Sequence, residues 1–405
     1  MSAMSQKQDN MIVVLDIGSA YTRVLAADLN EEALRYRGHG IVESAGMRKG
    51  LISELGPAAK AVKAANEQAE HLARANIDVC VVGVGGPHIR GINTQGGFEL
   101  ASRMREITRE DVRAAVDRAR AIERPADREI LHLLPRQFIL DEQPGIFNPV
   151  GMIGARLEVQ LHIATCSGSA LQSTITCANR AGLEVTDVVL ESIASAEATL
   201  SADERELGVC LLDIGAHSSD LVVFFEGAVA HTASIPIGGA HFTNDLAVGL
   251  QMPVAQAEEI KRQYGNAVVT LVPQLAEIEI HNPQPQSLRL RAIAEILEPR
   301  ARELFYFVKE SLRQGAVMEA LGAGCVLTGG GSMLPGLLDT TESHLRVPAR
   351  TGLPVRLSHM PGELAHPGFA TAIGMLLYAH RTRMTRAAED NGLGAKLRAI
   401  FAASF

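Results

Sequence analysis

Short apolar runs separated by longer helix-like segments are the main hydrophobic pattern of this chain. The apolar runs are rich in Val, Ile, Leu and Cys, are bounded by Gly, Asp or Asn, and lie at residues 12–15, 24–28, 78–84, 209–212, 221–225 and 325–327. Ala-rich segments with helical spacing lie at 56–75, 170–181 and 290–314. The short runs indicate buried strands and the long segments indicate helices. Their alternation predicts an α/β body.

Residues 87–163 depart from this alternation. They combine the extended pieces LHLLPRQFIL and ARLEVQLHIAT with the helical stretch TREDVRAAVDRAR, in which Thr108 and Asp111 have the spacing of a capping box. We predict a small inserted α+β unit here. A second insertion is predicted at about 240–300, where HNPQPQSLRL is a Pro-rich break. From residue 380 the chain is polar without apolar periodicity, which predicts a linker.

Composition narrows the possible classes. A chain of 405 residues with 47% hydrophobic residues can form two domains with a substantial core, and its net charge of −8 argues against broad nucleic-acid binding. Its five cysteines form no C-x-x-C pair, so we interpret them as reduced core residues of a cytoplasmic protein. No run approaches the roughly 20 apolar residues of a spanning helix, and residues 1–11 do not have the pattern of a signal peptide. Any membrane contact is therefore expected to be peripheral.

One turn pattern occurs twice. Residues 12–27 read IVVLDIGSAYTRVLAA, and residues 209–224 read VCLLDIGAHSSDLVVF. In such a turn, Gly lets the backbone approach an anion, exposed N–H groups and a Ser hydroxyl donate to its oxygens, and the Asp can hold a hydrated Mg²⁺. One copy alone is a weak signal, because strand-ending Asp and turn Gly are common. Two copies in matching context predict a pair of hairpins around one polyphosphate.

A third glycine-rich element follows a later strand. Residues 325–332 read CVLTGGGS, and residues 236–239 (PIGG) provide another turn of close approach. With no side chains in the way, such a loop can lie against a ribose and an α-phosphate. The alternative is an ordinary strand-to-helix connection.

The order DIGS, DIGAHSSD, IPIGGAHFTND, AEEIKRQYG and LTGGGS resembles the actin, heat-shock-chaperone and sugar-kinase superfamily. This resemblance implies a two-lobed actin-like fold with duplicated ribonuclease-H-like cores that clamp ATP and Mg²⁺. It implies that Asp16 and Asp213 hold Mg²⁺ through water, that Glu258 and Lys261 flank the adenosine, and that Arg23 faces a phosphate. The full set of expected nucleotide-site residues is Asp16, Gly18, Ser19, Arg23, Asp213, Gly215, Ala216, His217, Ser218, Gly238, Gly239, Glu258, Lys261, Gly329, Gly330 and Gly331.

Within that superfamily the chain resembles the FtsA family of bacterial cell-division proteins. The resemblance covers almost the whole chain, including SAGMRKGLI (44–52), DERELGVCLLDIG (203–215), ILEPRARELF (296–305) and the specific stretch NPVGMIGARLEV inside the insertion. It implies a first core at 10–86 plus 164–200, an inserted subdomain at 87–163, a second core at 201–239 plus 301–380, a small subdomain at 240–300, a linker at 381–392 and an amphipathic membrane-targeting helix at 393–405.

The second hairpin departs from the family pattern. Relatives commonly read DIGGGT there, whereas this chain has Ala216 and His217. A Cβ next to a phosphate narrows the allowed geometry, so we expect nucleotide turnover to be slow at most. His217 either donates to a phosphate oxygen or points to solvent, and we favour the second. No catalytic base is identified, because Glu191 and Glu197, the candidates in a small-molecule kinase, cannot be placed from sequence.

The last residues form a basic amphipathic pattern. With helical spacing, Leu393, Leu397, Ile400, Phe401 and Phe405 share one face beside Lys396 and Arg398, and residues 381–405 carry a net charge of +3. This pattern favours binding to an anionic membrane surface over packing on the core.

The resemblance implies an ATP-binding adaptor that polymerises at the division site, on the cytoplasmic side of the inner membrane. Its expected partners are the C-terminal peptide of FtsZ, docked around 240–300, and other division proteins, but not nucleic acid. The alternatives are a PilM-like pilus-assembly adaptor, which shares the insertion, and a small-molecule kinase. Nothing in the chain resembles a sugar site, and the basic tail and NPVGMIG favour division.

Overall fold

The computed structural model describes residues 11–29, 34–100, 104–121, 125–281 and 285–390. The α-helices are α1 (Leu55–Ala73), α2 (Arg109–Arg120), α3 (Gly168–Arg180), α4 (Glu191–Thr199), α5 (Ala202–Leu207), α6 (Gly239–Gly249), α7 (Val254–Tyr264), α8 (Leu290–Gln314), α9 (Leu337–Leu345) and α10 (Ala370–Asp390). None of these described helices is both long enough and apolar enough to cross a membrane.

The strands alternate with these helices as the apolar runs predict. They are β1 (Met11–Ile17), β2 (Tyr21–Leu29), β3 (Leu34–Glu43), β4 (Met47–Arg48), β5 (Leu51–Ile52), β6 (Val79–Val84), β7 (Arg90–Glu99), β8 (Arg105–Glu106), β9 (Arg128–Leu140), β10 (Gln143–Ile146), β11 (Ile153–Gly154), β12 (Arg156–Ser167), β13 (Glu184–Leu190), β14 (Val209–Ile214), β15 (Ser219–Phe225), β16 (Ala228–Ile235), β17 (Glu277–His281), β18 (Pro285–Arg289), β19 (Gly324–Thr328) and β20 (Ala349–Thr351). The six predicted strands and the three predicted helices are all confirmed.

Two five-stranded sheets share one topology. The first has the order β13-β6-β1-β2-β3 and the second has the order β20-β19-β14-β15-β16. In each sheet, three consecutive strands form an antiparallel meander, and two later strands extend it in parallel from the first strand of the meander. The repeated turn therefore belongs to a repeated core, and the two lobes of the molecule are built on these two sheets.

Residues between the two parts of the first lobe form the predicted inserted unit. Its sheet has the order β10-β9-β12-β7, and α2 packs on it through buried Val112 and Ala115. The capping box of α2 is confirmed: the Thr108 N–H donates to Asp111 Oδ2 at 2.8 Å, and the Asp111 N–H donates to Thr108 Oγ1 at 3.3 Å. The unit is a separate small α+β layer, and it lacks the alternation of apolar strands with Ala-rich helices that characterises the two cores.

A fully buried histidine joins the inserted unit to the second lobe. His162 on β12 lies between Asn93 on β7 and Thr232 on β16, and its two ring nitrogens are 2.6 Å from Asn93 Oδ1 and 2.9 Å from Thr232 Oγ1. The amide of Asn93 donates to Ala230 O at 3.0 Å, so its oxygen accepts from the Nδ1–H of His162. Burial lowers the pKa of His162 to about 3, so the ring is neutral and Nε2 accepts from the Thr232 hydroxyl.

Helices α4 and α10 cross closely next to Asp213. Gly374 of α10 lies so near Ala194 of α4 that a Cβ on Gly374 would be 1.7 Å from Ala194 O. The absence of that side chain lets the two helices pack backbone to backbone, which brings the first turn of α10 and the second turn of α4 to the second core. Ser195 and Thr371 are thereby fixed beside Asp213.

The segment predicted as a second insertion contains α6, α7 and a two-stranded hairpin. The Pro-rich break overlaps the end of β17 and the whole of β18, and its residues 282–284 lie outside the described residues. The following helix α8 contains Pro299 and continues through residue 300, where the sequence predicts a boundary. Its buried face, which includes Ile293, Leu297 and Leu304, joins the second core.

One prediction about the chain organisation is wrong. Residues 381–392 are predicted as a linker, but α10 continues through Asp390. The polar segment forms helix because Arg and Ala have high helix propensity, and because Arg381 Nη1 donates to Glu197 Oε1 at 2.8 Å. The polar composition of this segment therefore does not mark the end of the helix. Residues 391 and 392 and the predicted membrane-targeting helix at 393–405 lie outside the described residues.

All five cysteines are unpaired and buried, as their positions in apolar runs predict. Burial raises the pKa of Cys80 to about 12, so this thiol stays protonated.

Candidate functional site

The first hairpin, β1–β2, presents Asp16 at the end of a buried strand. Asp16 is 4% exposed, and its cross-strand partner Arg23 donates from Nη1 to Asp16 Oδ2 at 3.1 Å. Burial raises the pKa of Asp16, and the guanidinium of Arg23 opposes this shift. Gly18 makes the turn because a Cβ there would lie 2.8 Å from Tyr21 O. Ser19 is half-buried near the tip of the turn.

The second hairpin, β14–β15, places Asp213 at the equivalent position. Asp213 Oδ2 accepts from Ser195 Oγ at 2.5 Å and from Thr371 Oγ1 at 2.9 Å. Burial raises the pKa of Asp213, and the charge of Asp16 acts in the same direction. The two aspartates therefore lie close enough to influence each other, as expected for the two sides of one cleft.

The turn of the second hairpin is fixed on the start of α6. The Gly215 N–H donates to the carbonyl of buried Ser218 at 2.9 Å. The carbonyls of Gly215 and Ala216 accept from the N–H groups of Gly239 and Ala240 at 2.9 and 2.8 Å. A Cβ on Gly238 would lie 2.7 Å from Ala216 O, so the PIGG turn is a close-approach turn as predicted.

His217 does not simply point to solvent, which corrects the favoured expectation. Its ring lies 6.3 Å from that of His241, and its Nδ1 is buried with no hydrogen-bond partner among the described residues. Burial lowers the pKa of His217, with a smaller contribution from His241. His241 is held in place because its Nδ1 accepts from the Gly238 N–H at 3.1 Å.

The glycine loop, Gly329–Gly331, packs on the second hairpin. Gly329 has φ 82° and ψ 163°, and a Cβ there would lie 2.2 Å from Asp213 Oδ1. A Cβ on Gly331 would lie 2.6 Å from Ile214 Cγ2. Gly330 faces open space, since a Cβ there would have no neighbour within 4 Å. The loop therefore follows the hairpin backbone closely and leaves its middle residue free.

Helix α7 places Glu258 and Lys261 beside the PIGG turn. Lys261 Nζ donates to Glu258 Oε2 at 2.7 Å, to Gly239 O at 3.0 Å and to Thr243 Oγ1 at 2.7 Å. Burial lowers the pKa of Lys261, and Glu258 opposes this shift. A Cβ on Gly239 would lie 3.6 Å from Lys261 Nζ and 3.8 Å from Gly331 Cα, so α7, the PIGG turn and the glycine loop meet.

Two further acidic residues complete a carboxyl cluster, which we define as Asp16, Glu191, Asp213 and Asp220. Burial raises the pKa of Glu191 well above its usual range, and the charges of Asp16, Asp220 and Asp213 add to the effect. Burial raises the pKa of Asp220 to about 6. The Gly86 N–H donates to both Asp220 oxygens at 3.3 Å, which connects the end of the first core to the second lobe.

The carboxyl cluster fits a cationic ligand. Burial raises the pKa values of these four acids, neighbouring carboxylates add to the shift for Glu191, Asp213 and Asp220, and a nearby positive charge would favour the ionised forms. No group of three or more acidic, His or Cys side chains among the described residues is arranged to ligate a metal directly. A hydrated Mg²⁺ held through water, with glycine-rich turns around it for phosphate, remains the prediction that these residues suit.

The sequence missed Asp220 and could not place Glu191. Asp220 follows Asp213 by seven residues, as Arg23 follows Asp16, and both are direct cross-strand partners of those aspartates. An alignment of the two hairpins would have pointed to Asp220. Glu191 follows the end of β13, a parallel strand of the first sheet, where ligand sites of α/β folds commonly lie.

Glu197, the other candidate base, is engaged elsewhere. Its Oε1 accepts from Arg205 Nη1 at 3.2 Å and from Arg381 Nη1 at 2.8 Å. It belongs to the contact between α4, α5 and α10, so the structure favours Glu191 over Glu197 for any role at the carboxyl cluster.

The duplicated cores, the paired aspartate hairpins and the glycine loop define an actin-like ATPase fold. A solved PilM–PilN type IV pilus biogenesis complex contains a similar chain, with a TM-score of 0.64 and 20% identity over 90% of this chain and 97% of that one. MreB5 of Spiroplasma citri bound to ADP has a TM-score of 0.53 and 13% identity over 95% of this chain and 100% of that one. At these identities the likeness shows the fold alone.

Sequence comparison identifies the family. A model of cell division protein FtsA matches residues 210–374, and a model of the SHS2 domain inserted in FtsA matches residues 86–165. The FtsA of Pseudomonas aeruginosa is 37% identical over 92% of this chain and 90% of its own length, and that of Escherichia coli K12 is 33% identical over 94% and 92%. The chain belongs to the FtsA family of cell division proteins.

Proposed function

We propose that this division protein binds Mg-ATP, polymerises on the inner face of the cytoplasmic membrane, tethers FtsZ there and recruits later division proteins. The observation that carries the proposal is the meeting of two aspartate hairpins, the glycine loop and α7 around one carboxyl cluster. That arrangement, in a member of the FtsA family, supports a nucleotide-dependent adaptor.

The proposed nucleotide contacts follow from the site. Backbone N–H groups of the two hairpin turns and the hydroxyl of Ser19 would donate to phosphate oxygens, and the open face of Gly330 leaves room for a ribose or α-phosphate. Glu258 and Lys261 would border the adenosine. Mg²⁺, when bound, would neutralise phosphate charge, and Asp16 and Asp213 would hold it through water.

Two features argue for little turnover. Arg23 is paired with Asp16, and its guanidinium lies between the rings of Tyr21 and Phe369, 5.5 and 5.2 Å from their centroids. His217 and Ala216 occupy a turn that the family pattern gives to glycine, so the hairpin has less freedom to adjust around a reacting phosphate. We therefore propose a structural role for the nucleotide, with slow hydrolysis at most.

The proposed membrane and polymer functions depend on each other. The five apolar side chains of the 393–405 pattern are worth at most about 1.5–3 kcal/mol each on burial, and each nearby cation adds about 1 kcal/mol at an anionic surface. Ordering roughly a dozen residues costs about 1–2 kcal/mol each, which offsets much of that gain. One tail should bind reversibly, whereas a row of linked protomers should bind firmly through effective concentration.

Calorimetry of Mg-ATP binding tests the nucleotide part directly. We expect binding by the wild-type chain, and loss of binding by Asp213→Asn, which keeps an oxygen for Ser195 and Thr371 but removes the charge. Asp339→Asn, on the exposed face of α9, is the matched control and should bind as the wild type does. Equal affinity of Asp213→Asn and wild type would remove Asp213 from the proposed site.

Electron microscopy on a lipid monolayer tests the assembly part. With ATP, we expect filaments of the full chain, and far fewer when residues 393–405 are deleted. Binding of the FtsZ C-terminal peptide should be retained by both proteins, because its proposed docking region at 240–300 is separate from the tail. Filaments on lipid that do not depend on the tail would contradict the proposed attachment.

A further inference from the structure

Two elements of the second lobe reach across the cleft to the first hairpin. Helix α7 contributes Arg262, whose guanidinium donates a hydrogen bond to the hydroxyl oxygen of Tyr21 at the start of β2. The turn Pro367–Phe369, just before α10, contributes Phe369, whose ring centroid lies 5.2 Å from Arg23 Cζ on the same strand. The first hairpin is therefore held by the second lobe at two places.

The Tyr21 side chain is packed on its own hairpin. Arg23 Cζ lies 5.5 Å from the centroid of the half-buried Tyr21 ring. The guanidinium of Arg23 is itself fixed, because its Nη1 donates to Asp16 Oδ2 and the ring of Phe369 packs against it. Since the ring of Tyr21 is already held in place, little side-chain freedom is lost when its hydroxyl bonds to α7.

The turn that carries Phe369 is fixed on the glycine loop. The Gly329 N–H donates to Pro367 O at 3.2 Å, and a Cβ on Gly368 would lie 3.7 Å from Gly330 Cα. The contact of Phe369 with the first hairpin therefore connects that hairpin to the loop proposed to lie against the ribose or α-phosphate.

Glu258 separates Arg262 from the proposed nucleotide contacts. Its Oε2 accepts from Lys261 Nζ and its Oε1 accepts from Arg262 Nε, each at 2.7 Å. The side chain of Lys261 is 13% exposed, whereas that of Arg262 is 60% exposed. Lys261 is thus the inner residue and Arg262 the outer one. The bond from Arg262 to Tyr21 therefore crosses the cleft on the solvent side of the site.

We propose that Tyr21 and Arg262 are positioning residues that form a clasp across the opening of the nucleotide cleft and slow the exchange of nucleotide. The inference rests on the proposed nucleotide function and adds a control of that site. Lobes that move apart to admit or release a ligand must break this bond. Neither residue is among the expected nucleotide contacts, so the clasp raises the barrier for entry and for release and leaves the affinity nearly unchanged.

Stopped-flow fluorescence of mant-ATP with Mg²⁺ measures both rates. Tyr21→Phe removes the hydroxyl and keeps the ring beside Arg23, and Arg262→Gln removes the guanidinium. We expect each variant to bind and to release mant-ATP about threefold faster than the wild type, with Kd within twofold. An exposed bond of this kind has effects of that size. The double variant should be no faster than either single variant, because the same bond is lost.

Matched substitutions separate the clasp from general effects. Arg302 on α8 is 64% exposed and pairs with Glu298 at the i, i+4 spacing. Arg262 has the same kind of pair with Glu258. Arg302→Gln therefore removes an equivalent ion pair, and Tyr264→Phe removes a hydroxyl from α7; both should leave the two rates unchanged. Arg262→Lys keeps a cationic donor and should stay closer to the wild-type rates than Arg262→Gln.

Wild-type rates in Tyr21→Phe and Arg262→Gln, or a loss of affinity as large as the gain in release rate, would overturn the clasp. Absence of mant-ATP binding by the wild-type chain would instead reject the nucleotide function, and this role with it.

Cross-linking tests the contact without nucleotide. The five native cysteines are buried, so a short bismaleimide in EDTA should react first with cysteines introduced at the surface. We expect Tyr21→Cys to be joined to Arg262→Cys and not to Arg302→Cys. Equal cross-linking of the two pairs would show that α7 and the first hairpin do not meet at the clasp, whatever the outcome of the Mg-ATP titrations.

Discussion

At the scale of single residues, the two hairpins have the same geometry but differ in the charge opposite the aspartate. Arg23 faces Asp16 across the first hairpin, and Asp220 faces Asp213 across the second. The first aspartate is therefore partly neutralised within its own hairpin, whereas the second adds to an uncompensated negative cluster. This difference makes the second hairpin the side on which a cation has more to gain.

Two substitutions in the glycine loop should distinguish a position whose backbone conformation requires glycine from a position that only lies near the proposed nucleotide site. Gly329→Ala forces a side chain into a region of φ and ψ that only glycine occupies easily, at a cost of about 1–3 kcal/mol, and sets a Cβ against Asp213. We expect a lower free energy of unfolding in urea and weaker Mg-ATP binding. Gly330→Ala, with no protein neighbour within 4 Å, should leave the free energy of unfolding unchanged, while its Cβ enters the space proposed for the nucleotide and weakens Mg-ATP binding. Similar losses of stability in both variants would contradict this account.

Asp220 should make stability depend on pH. Its pKa is about 6 in the folded chain and 3.8 as an ordinary Asp, so the folded state binds the proton more tightly and stability falls as pH rises from about 4 through 6. Asp220→Asn removes this loss and keeps an oxygen for the Gly86 N–H. Its stability relative to wild type should increase over that range by up to about 3 kcal/mol.

Urea unfolding in EDTA at a series of pH values measures this difference. Parallel stability profiles for wild type and Asp220→Asn would show that Asp220 does not titrate as described.

How much of the site the sequence predicts depends on how far apart in the chain the contacting residues lie. Asp16, Asp213 and the loop glycines are marked by local patterns, because a strand, an acid and a glycine turn are adjacent in the chain. Ser195 and Thr371 reach Asp213 from α4 and α10, so their contacts are set only by the packing of those helices. The position of His217 beside His241 is set in the same way, by the packing of the hairpin turn on the start of α6, which no local pattern reveals.

At the scale of elements, the sequence predicts the strands and helices of both cores because their buried faces produce clear periodicity. It predicts a linker after residue 380 because no such face is visible there. The helix continues through Asp390, and Arg381 in this segment pairs with Glu197, a contact between residues far apart in the chain. Apolar periodicity indicates a buried face, so a helical segment without a visible apolar face is not predicted from the sequence.

The junction between the inserted unit and the second lobe can be tested at His162. Thr232→Val keeps the shape of the side chain but leaves Nε2 of a fully buried ring without a partner, which costs about 1–3 kcal/mol. Thr232→Ser retains the hydroxyl and is the control. We expect the Val variant alone to lose most of that amount in urea unfolding. Equal stability of the two variants would show that the bond to β16 contributes nothing.

At the scale of the whole molecule, the repeated topology explains why one chain makes the same turn twice. Each core brings its own hairpin to the central site, and contacts such as Gly86 to Asp220 connect the lobes across it. The order of the motifs in the chain predicts this architecture, because each core repeats the same succession of strands. The packing of the inserted unit on β16 is not visible in the sequence, because it depends on contacts between distant strands.

Deletion of residues 393–405 should abolish attachment to membranes without affecting the folding of the chain. We expect the truncated chain to lose sedimentation with anionic liposomes while its thermal unfolding and Mg-ATP binding stay unchanged, because the contacts of both hairpins, the glycine loop and α7 described above are made within residues 11–390. A charge-matched control changes only Phe401 and Phe405 to Ser and should also lose sedimentation. Retained sedimentation of both proteins would refute a membrane role for the tail.

The long helix α10 has a mechanical consequence. Its first turn holds Thr371 against Asp213, and its 21 residues extend about 31 Å at 1.5 Å per residue before the chain reaches the basic tail. Because Thr371 fixes the start of this helix to Asp213 and Arg381 ties a later turn to Glu197, the direction of the helix sets the course on which the chain leaves the core towards the basic tail.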